Sequence, residues 1–254
     1  MGILNVTPDS FSDGGLYLDA DVAVARAAAM REEGADVIDI GGESTRPDAA
    51  PVPEKDELAR TGAAIRAVCR DMDCPVSIDT YKAGVARAAA KAGAVLVNDV
   101  WGMTRDPEMA RAVAETESAV VITYNRGAAD DSISLADDMK AFFDRAFHCA
   151  KEAGIPREFV ILDPGIGFSK TWRQNFEALA RLDVMLDYGR PVLVGLSRKS
   201  FIGRLLNKTV GERETGTLIA NIVALQRGAA MIRVHDVAAH KDALKMLDAL
   251  GGQA

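Results

Sequence analysis

Asp79, Asn98 and Asp163 each close a short apolar run, in Val76 to Ile78, Val95 to Val97 and Phe159 to Leu162. A carboxylate placed there is partly buried and needs donors, and a ligand with a guanidine-like edge offers two parallel N–H groups that match its two oxygens. Pterins and purines carry such an edge. One Asp in this position serves equally well to cap a neighbouring loop; three that converge favour a ligand. A second set, Arg46, Arg198, Lys199, Arg233 and His235, consists of cations in a chain whose 30 basic and 37 acidic residues leave a net charge of -7. That balance argues against broad binding of a nucleic-acid backbone, so an anion site must be local. Arg198 could instead form a structural ion pair on the rim.

Two glycine-containing segments invite nucleotide readings and fail them. Gly195-Leu196-Ser197-Arg198-Lys199-Ser200 has Arg198, not glycine, immediately before its lysine, so it is not the GxxxxGK[ST] phosphate loop. Its position ahead of a helix still lets backbone N–H groups face a carboxylate or phosphate. Gly165-Ile166-Gly167-Phe168-Ser169-Lys170 carries Lys170 where a dinucleotide fingerprint needs its third glycine. Those glycines let the backbone turn close to a ligand, with Phe168 available to stack on a flat ring. Phe142, Phe143 and Phe147 read as core, and His148 and His240 as structural or solvated helix residues.

The elements that must position these residues alternate. Eight β-rich runs, approximately Gly2 to Val6, Val37 to Ile40, Val76 to Ile78, Val95 to Val97, Ala119 to Thr123, Phe159 to Leu162, Val192 to Gly195 and Met231 to Val234, are separated by amphipathic segments. Helices are expected near Asp21 to Glu33, Glu54 to Asp71, Lys82 to Ala92, Pro107 to Glu115, Ala136 to Ala153, Asn175 to Leu182, Thr215 to Arg227 and Ala238 to Leu250. Gly34, Gly93, Gly154 and Gly228 follow amphipathic stretches as helix stops. Periodicity alone fits a doubly wound open sheet as well as a barrel. Polar residues gather after every one of the runs, however, and only a barrel turns all its strand tips to one mouth. The expected fold is α/β, a single (β/α)8 TIM barrel occupying residues 1–254 as one domain.

The 254 residues, 48% of them hydrophobic, are enough for such a core. Cys69, Cys74 and Cys149 are too few and too irregular for a disulfide framework or a zinc site, which fits a reducing cytoplasm. No apolar run approaches the roughly 20 residues of a membrane span, and no signal peptide leads the chain. The Met1-Gly2 opening lacks the Ser or Thr that myristoylation requires at the position of Val6. The segments after the first two runs, Thr7 to Gly15 and Glu43 to Pro53, are rich in turn formers and read as lids.

Five motifs together, Asn5 to Gly15 (NVTPDSFSDGG), Gly41 to Pro47 (GGESTRP), Asp163 to Phe168 (DPGIGF), Ser197 to Ser200 (SRKS) and Arg233 to Asp236 (RVHD), resemble the dihydropteroate synthase family of pterin-binding barrels. The likeness runs in order along essentially the whole chain. It implies that Asp79, Asn98, Asp163 and Lys199 grip the pterin. Asn5, Thr45, Arg233 and His235 would hold the pyrophosphate, Asn5 through a Mg2+ ion. Phe11, Arg46, Pro47, Phe168 and Ser200 would shape the p-aminobenzoate site, where sulfonamides compete. The same resemblance gives Lys199, Arg233, His235, Asp9 and Arg46 as the catalytic set, acting by position and charge, and implies a homodimer. Around the site the chain departs from the family's usual residues at Tyr81, Ala83, Thr123-Tyr124 and Ser169. A pterin-dependent methyltransferase barrel and a catalytically weak pterin-binding paralogue are the competing functions.

Overall fold

The computed structural model describes residues 1–6, 16–44 and 50–251, and of residues 16–19 the backbone alone. Strands and helices alternate along it. The order is β1 (Gly2–Asn5), α1 (Leu16–Glu32), β2 (Ile38–Gly41), α2 (Glu54–Asp71), β3 (Val76–Asp79), α3 (Ala83–Ala92), β4 (Leu96–Asp99) and α4 (Met109–Glu115). It continues through β5 (Ala119–Thr123), α5 (Leu135–Ala153), β6 (Val160–Asp163), α6 (Trp172–Ala180), α7 (Asp183–Leu186), β7 (Leu193–Val194), α8 (Ser200–Leu206), α9 (Glu214–Gln226), β8 (Met231–Ile232) and α10 (Val237–Ala249).

Strands β1 to β6 form one parallel sheet in sequence order, and β7 pairs with β8 in a second. Two parallel bridges, Leu162 with Val192 and Gly2 with Val234, join the pair to both edges of the larger sheet. Leu162 N–H donates to Pro191 O at 3.0 Å, Ile3 N–H to Val234 O at 2.9 Å and Val234 N–H to Met1 O at 2.9 Å. The staves therefore close into the (β/α)8 barrel. β7 and β8 are shorter than the sequence suggests; beyond β8, Arg233 N–H donates to Val194 O and Val234 N–H to Met1 O, so the chain there bonds to both neighbours.

Alternation along each strand divides the core in two. Ile38, Ile40, Val76, Ile78, Val97, Val120, Ile122, Val160 and Leu162 face the helices in the main apolar layer. A small cluster of Met1, Leu96, Val121 and Leu193 fills the barrel floor, near the strands' N-terminal ends. Each fully buried aliphatic side chain of this kind is worth roughly 1.5–3 kcal/mol relative to exposure. Phe142 and Phe143 are buried in the outer layer, and Phe147 packs partly buried against it.

The expected helix stops are found: Gly34, Gly93, Gly154 and Gly228 all lie at positive φ. Three expectations are corrected. The helix expected at Asn175 to Leu182 begins earlier, at Trp172, because Thr171 and Gln174 form a capping box; a separate turn, α7, follows it. The residues Arg157–Phe159 wind into a 3-10 turn behind Pro156, so β6 starts at Val160. An additional helix, α8, precedes α9 directly after the β7 tip.

Candidate active site

Register places four tips in one row around the mouth, Asn5 opposite Gly41, Gly41 opposite Asp79, and Asp79 opposite Asn98. Gly41 leaves the row open, since a Cβ there would stand 3.4 Å from the Asp79 side chain and 3.8 Å from Asn5 Oδ1. One step deeper on β2 lies Asp39, wholly buried. Arg233, which follows β8, reaches both acids, donating from Nε to Asp39 Oδ2 at 2.5 Å and from Nη2 to Asp79 Oδ2 at 2.6 Å. Asn98 Nδ2 adds a bond to Asp39 Oδ2 at 3.2 Å. The other oxygens, Asp39 Oδ1 and Asp79 Oδ1, are buried without a hydrogen-bond partner among the described residues. Burial pushes the Asp79 carboxyl above its ordinary range and Arg233 pulls it back, while the two acids hold the guanidinium firmly charged.

Asp163 ends β6 beside the β7 tip. Its Oδ1 accepts Gly165 N–H at 2.7 Å. Burial raises its carboxyl, and Lys199 is the first charge opposing that rise. Lys199 precedes α8, donates to Ile166 O and holds its ammonium 4.5 Å from the centre of the Phe168 ring. Burial lowers Lys199 to about 8, with Asp163 drawing it up and Arg233 pressing it down. The fields of Asp79, Asp163, Lys199 and Arg233 thus act on one another within a single cluster.

The Ser197 hydroxyl and His235 Nδ1 lie 2.8 Å apart, linking the tips of β7 and β8. Arg198 takes the structural alternative: it pairs with Asp236 at 2.6 Å, and its backbone, at φ 58, is tied through Thr217 and Arg213. Ser200 opens α8 in an exposed position, and Asn5 is exposed at the other side of the mouth.

The chain's sequence and overall fold are shared with known proteins. Residues 1–235 match the family described as pterin binding enzyme. A dihydropteroate synthase of Clostridium beijerinckii is 46% identical over 98% of this chain and 92% of its own length. The chain belongs to the dihydropteroate synthase family of pterin-binding enzymes. A Clostridium difficile dihydropteroate synthase crystallised with pteroic acid superimposes with a TM-score of 0.95 at 42% identity, over 99% of this chain and 96% of that one. A Yersinia pestis dihydropteroate synthase in complex with a sulfonamide drug gives 0.91 at 39%, over 99% and 94%.

Of the residues singled out for a dihydropteroate synthase, the fold brings Asp79, Asn98, Asp163, Lys199 and Arg233 together, with Phe168 against Lys199 and Asn5 in the row of Asp79. His235 stands with Ser197 on the adjoining tip. Asp9, Phe11, Thr45, Arg46 and Pro47 lie outside the described residues. Sequence reasoning missed Asp39, whose signal was a lone carboxylate between Ile38 and Ile40. It also missed two clusters. Lys82 pairs with Glu43 and with Glu57, at 2.5 Å for the latter, and Tyr81 donates to Glu43 at 2.9 Å, fixing the residue two places before Thr45. Tyr124 donates to Asp138 and lies under Lys170. Nothing in the sequence pairs residues so far apart.

Proposed function

We propose that the chain, as one barrel domain, condenses 6-hydroxymethyl-7,8-dihydropterin pyrophosphate with p-aminobenzoate to give 7,8-dihydropteroate and pyrophosphate in folate biosynthesis. One observation carries this reading: buried acids and an amide, Asp79, Asn98 and Asp163, face the partly buried cations Lys199 and Arg233 across one mouth. The acids and Asn98 suit the donor edge of a pterin, and Lys199 an acceptor on its ring. Arg233 commits Nε and Nη2 to carboxylates, which leaves its Nη1 donors for the diphosphate, with His235 and Thr45.

The C–O bond at the pterin methylene breaks and its electron pair leaves with pyrophosphate. The cation that remains spreads over the dihydropterin ring beside the Asp79 and Asp163 carboxylates, while Arg233, Lys199 and His235 stabilise the departing anion. The amine of p-aminobenzoate is neutral at pH 7 and attacks without a general base, and its proton passes to solvent after the C–N bond forms. By the family resemblance Asp9 and Arg46 belong to the catalytic set, and Phe11, Pro47, Phe168, Arg46 and Ser200 are assigned to the p-aminobenzoate, with which sulfonamides compete.

Asn5 offers a single neutral oxygen, a donor that fits Mg2+ where the substrate's diphosphate supplies the anionic oxygens. Asn5 would hold the ion, which would add positive charge at the leaving group. The exposed apolar side chains Leu205, Leu206, Val210 and Ile219 on and around α8 and α9 support a homodimer. No helix among the described residues is long and apolar enough to cross a membrane. The free cysteines, Cys69, Cys74 and Cys149, suit a cytoplasmic enzyme.

Purified protein given both substrates and Mg2+ should release pyrophosphate at a rate that depends on p-aminobenzoate. Pterin binding without that release would mark a weak paralogue, and methyl transfer to a corrinoid protein would mark the methyltransferase alternative.

A further inference from the structure

The loop after β6 takes a left-handed backbone at three positions, one of which its residue disfavours. Gly165, Gly167 and Ser169 lie at φ 64, 88 and 47, and a serine in the left-handed region is strained where glycine is not. The loop also presses on the end of β5, where a Cβ on Gly165 would stand 1.9 Å from Tyr124 O. The carbonyl oxygens of Tyr124, Gly165 and Phe168 consequently point at one place, and three negative dipole ends that converge repel one another. Lys170 Nζ occupies that place, 2.9 Å from Gly165 O and 3.3 Å from both Tyr124 O and Phe168 O, and 4.2 Å from the centre of the Tyr124 ring. An ammonium has three donors for these three acceptors and no acceptor of its own.

We propose that Lys170 is a positioning residue of the synthase, clamping the β6 loop to β5 and so setting Asp163 for the pterin and Phe168 for the p-aminobenzoate. This rests on the pterin reading of the site. Asp163 Oδ1 is bonded to Gly165 N–H, and Phe168 is one of the three carbonyl acceptors, so both are one bond from the clamp. Other ties act beside it: Tyr124 N–H donates to Asp163 O at 2.9 Å, Ser169 donates to Asn125 at 2.6 Å, Asn175 holds Gly167 N–H at 2.5 Å, and Lys199 takes Ile166 O. None of them bridges to Tyr124 O. Burial pushes Lys170 down to about 7, with Asp163 the first charge drawing it up.

The test uses Lys170→Met, which keeps length without charge, and Lys170→Arg. Lys170→Met should raise KM for the pterin pyrophosphate about tenfold and KM for p-aminobenzoate by a smaller factor, through Phe168, with kcat within about twofold of the parent; Lys170→Arg should restore most of the loss. An unchanged pterin KM in Lys170→Met overturns the proposal. So does a common fall in every kinetic parameter and in thermal stability that Lys170→Arg does not rescue, because that marks a purely structural residue. Should the parent release no pyrophosphate, the synthase reading fails, and the clamp is judged by calorimetry with pteroic acid. Affinity about tenfold weaker in Lys170→Met then supports it, equal affinity overturns it, and a parent that binds no pteroic acid overturns both.

Discussion

Arg233 Nη2 donates to Asp79 Oδ2 at 2.6 Å, an ion pair that joins two strand tips 154 residues apart in the chain. The same guanidinium holds Asp39 through Nε, so one cation serves two buried acids. Removing it strands both charges, and breaking a buried pair from one side costs about 3–5 kcal/mol. Arg233→Met should lose stability of that order in urea unfolding at pH 8. The loss should be smaller at pH 5, since burial already raises Asp79 and the orphaned carboxyl can then take up a proton. Equal losses at the two pH values would count against the ion pair.

Asp99 gives a separate pH signature. It is buried, accepts Trp101 N–H at 2.9 Å and Met103 N–H at 2.7 Å, and burial pushes it up to about 6. Between about pH 4 and 6 the unfolded chain ionises this group before the folded one does, so its contribution to stability is full below that window and lost as pH rises through it. A shift of about two units corresponds to about 3 kcal/mol. Unfolding of Asp99→Asn should therefore show the variant gaining on the parent by up to that amount from pH 4 to pH 7. A difference that stays constant with pH would refute the assignment.

Ser169 sits at φ 47 and donates to Asn125 at 2.6 Å. Ser169→Gly relieves backbone strain and gives up one hydrogen bond, so stability should change by no more than about 1 kcal/mol. Ser169→Val adds a branched side chain to a left-handed backbone and loses the bond as well. It should destabilise by about 2 kcal/mol or more in chemical denaturation. Parity of the two variants would show that the backbone is not constrained there.

Lys199→Ala and Asp163→Ala should each abolish pterin binding with the fold retained. Each deprives its partner of a buried counter-charge as well as the ligand of a contact. Calorimetry decides this: unchanged affinity for the pterin in either variant removes that residue from the pterin site.

Arg46 belongs to the expected p-aminobenzoate group. Arg46→Ala should raise KM for p-aminobenzoate while pterin affinity is retained, and steady-state kinetics equal to the parent would exclude the role.

Strand and helix alternation was legible because each βα unit carries its own apolar run, its amphipathic helix and often a terminal glycine, all local signals. The polar tips were legible for the same reason: Asp79, Asn98 and Asp163 interrupt apolar runs. What escaped depends on registers and closures that no local pattern encodes. Asp39 acquires its role only when Arg233 returns from the last strand, and Lys170 only when the β6 loop folds against Tyr124. Arg198 shows the opposite case. Its place in a basic motif allowed an anion site or a structural ion pair on the rim, and its left-handed backbone and its bond to Asp236 settle it as part of the scaffold.

The acids Asp39, Asp79 and Asp163 stand on the six-stranded arc, and Lys199, Arg233 and His235 on or just beyond the two-stranded one. Among these six residues the acids and the cations thus stand on opposite sides of the opening. A molecule with donors at one end and an anion at the other would be turned by this arrangement as it approaches, before any hydrogen bond has formed. Selection by heading precedes selection by fit, and because such a field weakens with ionic strength, added salt should slow capture more than it weakens retention.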